Sequence, residues 1–179
     1  MTDKTGQSGS ENAQISEWVQ QLGNDDSTIR QDARQSLTKL GEAAVPELIV
    51  ALDSSSDLLR WESAKLLTEI QHTSAIPTLI KTLADNNSSI RWVAGDAIIA
   101  FGEVAIEPLL QALLDDTTHL REGAYHVLYS QATENEQFRD LLQPVVTALK
   151  SLDAAVSVPV EAEKALLHIT ELKQDQEEC

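Results

Sequence analysis

Residues Ser88–Leu114 read SSIRWVAGDAIIAFGEVAIEPLLQALL. Hydroxyl residues able to cap a helix open the stretch, and apolar residues follow at helical spacing. Gly102 interrupts them, and a second apolar run returns with Pro108 near its start, where a missing N–H does little harm. The stretch is one helix, a tight turn and a second helix running back beside the first. The same pattern stands before it and, more loosely, after it.

Four arginines, Arg30, Arg60, Arg91 and Arg121, recur at intervals of 30, 31 and 30 residues. One position before each stands Ile29, Leu59, Ile90 or Leu120, and three before stands Ser27, Asp57, Ser88 or Thr118, the expected caps. Three after each comes a small residue (Ala33, Ser63, Ala94, Ala124), and seven after comes Leu37, Leu67, Ile98 or Leu128. These offsets place the apolar side chains on one helical stripe, with the small residue admitting a neighbouring helix. Gly41 and Gly102 fall where a helix ends in a residue of positive φ. The return helices AVPELIVAL (44–52), AIPTLIKTL (75–83) and AIEPLLQAL (105–113) align without gaps. One such hairpin cannot bury its stripe alone, so hairpins stack. The expected fold is all-α, a right-handed α-solenoid of about four to five stacked helix hairpins.

These columns, over about residues 14–152, resemble the HEAT-like repeats of the phycobilin lyases and their relatives. The resemblance implies that the arginine ladder is structural, pairing with acids and carbonyls of the inter-repeat turns, where Asp25, Asp53, Asp85 and Asp115 stand. It also implies a range of roles: bilin lyase subunits, phycobilisome-degradation factors and plain scaffolds.

Along the chain, the polar residues 1–12 read as a disordered tail, 13–172 as one HEAT-like domain and 173–179 as a frayed tail. Ile15, Trp18, Val19 and Leu22 mark an opening helix that completes a truncated first repeat. Helix pairs are expected at 27–40 with 44–52, 57–70 with 74–84, 88–101 with 104–114, and 118–132 with 137–151. The fourth pair lacks the glycine, and a last helix from Pro159 to Leu172 carries Ser157 where the arginine belongs. It reads as the C-terminal cap.

The net charge is −16, from 29 acids against 13 bases. Such a surface repels phosphate backbones and anionic lipid, which excludes nucleic acid and membrane insertion as expected partners. No signal region opens the chain and its one cysteine, Cys179, precludes a disulfide framework. The expected compartment is the cytoplasm.

Chemistry-bearing motifs are sparse. No phosphate loop, nucleophile elbow or paired cysteine motif occurs. His119 and His126 lie two helical turns apart, too far for one metal, and Glu69 with His72 stands alone. No metal site and no catalytic residue are expected. The informative feature is a second face, opposite the apolar stripe. There stand Trp61, immediately after its arginine, then Trp92, Gly95 and Ile99, then Tyr125, His126 and Tyr129. Aromatic side chains on an exposed face, with Gly95 leaving a depression, suit contact with a protein or a flat ligand. The acidic turns suit steering of a basic partner.

The function expected is therefore a non-catalytic protein–protein interaction module without a cofactor, a monomer or one half of a heterodimer. The alternative, implied by the resemblance alone, is a bilin lyase subunit or a phycobilisome assembly or degradation factor binding an open-chain tetrapyrrole. If the protein is an enzyme, it is a lyase-type subunit.

Overall fold

The computed structural model describes residues 5–115 and 117–177. Ten α-helices follow one another: α1 (Thr5–Gln21), α2 (Ser27–Leu40), α3 (Val45–Ala51), α4 (Asp57–Ile70), α5 (Ile76–Thr82), α6 (Ser88–Phe101), α7 (Ile106–Asp115), α8 (Thr117–Glu134), α9 (Glu136–Lys150) and α10 (Ala154–Glu177). Among the described residues there is no strand. The class is the all-α solenoid read from the repeats.

The helices α2, α4 and α6 span the expected 27–40, 57–70 and 88–101, but their caps lie one residue earlier than the sequence columns indicate. Asp26, Ser56 and Asn87 are the N-caps, their side chains accepting from the backbone N–H of Thr28 (2.8 Å), Leu59 (3.3 Å) and Ser89 (2.9 Å). Ser27, Asp57 and Ser88, the expected caps, are instead the first helical residues. Either register puts a short polar side chain near the orphan N–H groups; extended backbone at the preceding residue decides between them. The counterpart for α8 falls at residue 116, outside the described residues.

The helix ends follow the turn chemistry. Gly41 and Gly102 adopt φ of 58° and 62°, and each opens a short 3₁₀ turn that redirects the chain. Gln71 occupies the equivalent place in the middle repeat and also takes positive φ, 54°. That break answers a question of composition. Within Ser88–Asp115 an 18-residue window is apolar enough for a membrane span by its content, with a mean hydropathy of 1.7. It is divided at Gly102 into helices of 14 and 10 residues, each shorter than the roughly 20 residues a span needs.

The chain divides between Thr78 and Leu79, inside α5, into two compact units; the sequence reading had expected one domain. In the first, α1 packs on α2 and α3, and α4 packs on α2 and α3. Ile15, Val19, Leu22, Leu37, Leu48, Leu59, Leu66 and Leu67 form its core, each 4% exposed or less. Fully burying such a side chain contributes about 1.5–3 kcal/mol. The helix α1 begins at Thr5, within the stretch whose composition reads as a tail.

The second unit starts as a repeat, with α6 beside α8, and ends differently. The helices α7, α8, α9 and α10 each pack on the next, and α10 closes back on α7. Lys173, late in α10, pairs with Glu107 in the first turn of α7, so these two helices run antiparallel. The last segment is thus more than a cap over a fourth hairpin: α10, rather than α9, covers α7. Its contact stripe (Ala154, Val158, Ala162, Ala165) is buried and made of small or branched residues, which permits close approach. The helix also starts five residues before Pro159, where the sequence had placed its beginning. Asp153 accepts from the N–H groups of Val156 (2.8 Å) and Ser157 (3.0 Å) through its carbonyl. The Ser151 hydroxyl bonded to its carboxylate, with its own backbone N–H, holds that carboxyl below the ordinary aspartate range. These contacts and the buried Ala154 and Val158 outweigh the one helical bond Pro159 forgoes. The helix continues to Glu177, through much of the predicted C-terminal tail; Cys179 lies outside the described residues.

Candidate functional site: an aromatic groove on the second unit

The arginine ladder sets the frame on which the site is hung. Arg30, Arg60 and Arg91 each reach back six residues to a turn carbonyl: Asn24 (2.8 Å), Ser54 (2.8 Å) and Asp85 (2.9 Å). Arg30 adds the carbonyl of Asp25 at 2.9 Å, and Arg91 that of Asn86 at 3.4 Å. The turn aspartates named by the resemblance thus contribute main-chain oxygens to Arg30 and Arg91. Arg121 departs, donating to Leu149 (2.6 Å) and Ser151 (2.7 Å) at the far end of α9. In all four cases a planar fork of donors ties a helix to a turn, a geometry a lysine ammonium does not reproduce. All four side chains are engaged with their own fold.

On α6 and α8 the ladder leaves a groove. It is about 420 Å³ and is lined by Arg91, Trp92, Glu122, Tyr125, His126 and Tyr129, among others. Trp92 is 58% exposed and Tyr129 48% exposed. One face of the Trp92 indole lies on the His126 imidazole, with centroids 4.0 Å apart and planes inclined by 26°. His126 Nε2 also meets Asp96 Oδ1 at 3.1 Å, joining α8 to α6. The rings of Tyr125 and Tyr129, one helical turn apart, stack at 5.5 Å, the offset arrangement aromatic pairs favour. Arg91 bridges to Glu122 at 2.9 Å across the groove.

Five of the seven side chains expected at a binding face are therefore neighbours in this unit: Trp92, Gly95, Tyr125, His126 and Tyr129. Gly95 does not leave a depression. It is buried, and a Cβ there would stand 2.8 Å from His126 Cδ2, so the space a side chain would need is already filled by the imidazole. Ile99 is half-buried and contributes its carbonyl, which accepts from Gln131 Nε2 at 3.1 Å. Trp61 belongs to the first unit, half-buried on α4 with Lys65 Nζ 4.6 Å from its ring centroid.

Sequence reasoning did not find Lys150. Its Nζ lies 4.7 Å from the Tyr125 centroid and 5.7 Å from that of Tyr129. It stands at the end of α9, beyond the regular repeat, where no column predicts its neighbours. A larger hollow of about 630 Å³ lies between α9 and α10, walled by Asp140, Gln143, Pro144, Thr147, Ser157 and Glu161 among others. It is shallow and holds no aromatic ring. Among the described residues no group of three or more His, Cys, Asp or Glu is placed to hold a metal ion.

Residues 45–129 match the family of HEAT repeats. No curated protein matches the chain. Among solved structures it is similar to three engineered proteins from the Northeast Structural Genomics Consortium. One is 18% identical over 88% of this chain and 79% of that one, with a TM-score of 0.45. The second is 20% identical over 88% and 81%, with a TM-score of 0.40. The third is 19% identical over 87% of this chain and 47% of that one, with a TM-score of 0.41. From α3 into α8, then, the chain is similar to HEAT repeats, over a stretch that spans less than half of its length.

Proposed function

We propose that this protein is a non-catalytic binding scaffold, and that it docks another protein at the groove between α6 and α8. The observation that carries the reading is the pair of exposed rings, Trp92 and Tyr129, held on packed helices beside a groove of about 420 Å³. Large aromatic side chains presented rigidly lose little entropy on binding and supply most of the energy at protein interfaces. The proposal takes the cytoplasm as the compartment and needs no cofactor. The test is affinity capture on the immobilised full-length protein, compared with a Trp92→Leu variant of matching circular dichroism. A partner held by the wild type and lost from Trp92→Leu supports the groove; a partner held equally by both moves the interface elsewhere.

A second reading takes an open-chain tetrapyrrole as the ligand. It is supported by the repeat's resemblance to bilin lyases and by the stacked, flat-faced rings of the groove. Titration with a bilin, following its visible band and tryptophan emission, tests it: saturable quenching that Trp92→Leu abolishes supports it, and an unchanged spectrum rejects it.

A further inference from the structure

The aromatic faces of this protein already hold cations, and those cations are its own. Lys150 lies over both Tyr125 and Tyr129, within the roughly 6 Å at which a ring face attracts an ammonium. Lys65 lies over Trp61 in the same manner. In a chain with 29 acids and 13 bases, two of the lysines rest on rings. The Tyr125 hydroxyl, as hydrogen-bond partner, raises the Lys150 pKa above the ordinary lysine value, against the opposing effect of burial. Lys150 is therefore an ammonium across the physiological range.

The remaining faces of the groove are open, on a chain that is strongly acidic overall. Trp92 turns one face to His126 and is otherwise 58% exposed, and Tyr129 is 48% exposed. The flanking carboxylates of Glu122 and Asp96 are bonded to Arg91 and His126 yet keep side-chain exposures of 79% and 51%. A net charge of −16 extends the attraction beyond the groove. A groove of about 420 Å³ has room for more than one side chain, which favours a peptide segment over a lone small cation.

We propose that the groove receives lysine or arginine side chains from a basic segment of the partner protein, one of which displaces Lys150 from the Tyr125–Tyr129 pair. The inference rests on the protein-binding reading above. In this arrangement Lys150 fills the place of the incoming cation, and its flexible stem lets it swing into water when that cation arrives. No net charge is buried in the exchange, because one ammonium leaves the rings as another reaches them.

The test uses the full-length protein and a dye-labelled oligo-arginine peptide, with anisotropy and tryptophan emission as readouts. Lys150→Met removes the internal competitor. Lys164→Met, which changes net charge equally on α10, is the control for general electrostatics. The expected result is tighter binding by Lys150→Met than by Lys164→Met, by about two- to thirtyfold, the range of a ring–cation contact. Tyr129→Leu, at unchanged net charge, weakens binding by a similar factor. Equal affinities of the two lysine variants, together with an indifferent Tyr129→Leu, would mean diffuse attraction to an acidic surface and would overturn the inference; so would an absence of binding at low salt. If the peptide experiment fails while Trp92→Leu still abolishes capture of a partner, the docking groove stands and only its preference for cations falls. If capture is unaffected too, both fall.

Discussion

Two seams of the molecule occupy the same place in the repeat and are filled by different side chains. In the first unit, α2 meets α4 through Glu62, which is 2% exposed and paired with Arg34, with Arg30 at 3.7 Å. In the second unit, α6 meets α8 through Gly95 lying under His126, with Trp92 stacked on the imidazole and Asp96 bonded to it. The positions correspond: Arg34 and Gly95 both follow their ladder arginine by four residues, and Glu62 and Gly123 both follow theirs by two. The repeat thus holds the helices in register, while the side chains that fill the gap vary freely. A seam filled by charges consumes its polar groups internally and offers little outside. A seam made from glycine lets the helices and a ring come close, and it pushes the remaining aromatic surface outward, where it can bind. The proposed docking function rests on the second arrangement.

The largest expected effect breaks the charged seam. Glu62→Ala leaves two partly buried guanidinium groups, Arg30 and Arg34, at 22% and 31% side-chain exposure, without their carboxylate. A fully buried pair broken this way loses about 3–5 kcal/mol. Water reaching the arginines reduces the expected loss to about 2–3 kcal/mol. Denaturant unfolding measures it, with hydrogen exchange in α2 and α4 localising it. The comparison is sharpened by Arg34→Met with Glu62→Leu, which converts the seam to an apolar one and is expected to recover most of the stability. A double variant as unstable as Glu62→Ala would show that the charges are needed for the register itself.

A smaller effect is expected on the glycine side. In Gly123→Ala the new methyl would stand 2.7 Å from Leu83 Cβ and 3.1 Å from its carbonyl oxygen. Neither atom can rotate away, so α8 must shift, at about 1–2 kcal/mol after the gain in helix propensity is counted. The same unfolding experiment checks this, and stability equal to wild type would mean that α8 packs on Leu83 more loosely than these distances indicate. The smallest change is a gain. The Ser63 hydroxyl is buried without a hydrogen-bond partner among the described residues, at a position where the other three repeats carry alanine. Ser63→Ala is expected to stabilise the first unit by about 0.5–1 kcal/mol; a loss would reveal a partner for that hydroxyl.

The repeat was legible because its signals are local. The arginine, its preceding apolar residue, the small residue three on and the leucine seven on lie within three helical turns, so each hairpin announces itself. The same offsets placed Trp92, Tyr125 and Tyr129 on one side of their helices. They did not show that His126 fills the space beside Gly95, because glycine in a sequence marks room without saying what enters it. Lys150 was invisible for a related reason: α9 lies outside the period, and nothing near Lys150 in the chain indicates the tyrosines it covers.

The sequence by itself determined the all-α class, the hairpin unit, the ends of most helices and the acidic surface, since caps, turn glycines and apolar spacing act over a few residues. Tertiary structure decided which helices close the C-terminal end and which side chains share a seam. The pairing of α10 with α7 joins residues as distant as Glu107 and Lys173, separated by 66 positions, and the His126–Asp96 bond joins residues 30 apart. Such contacts depend on how closely two backbones approach, and that distance is set by the packing of the whole unit.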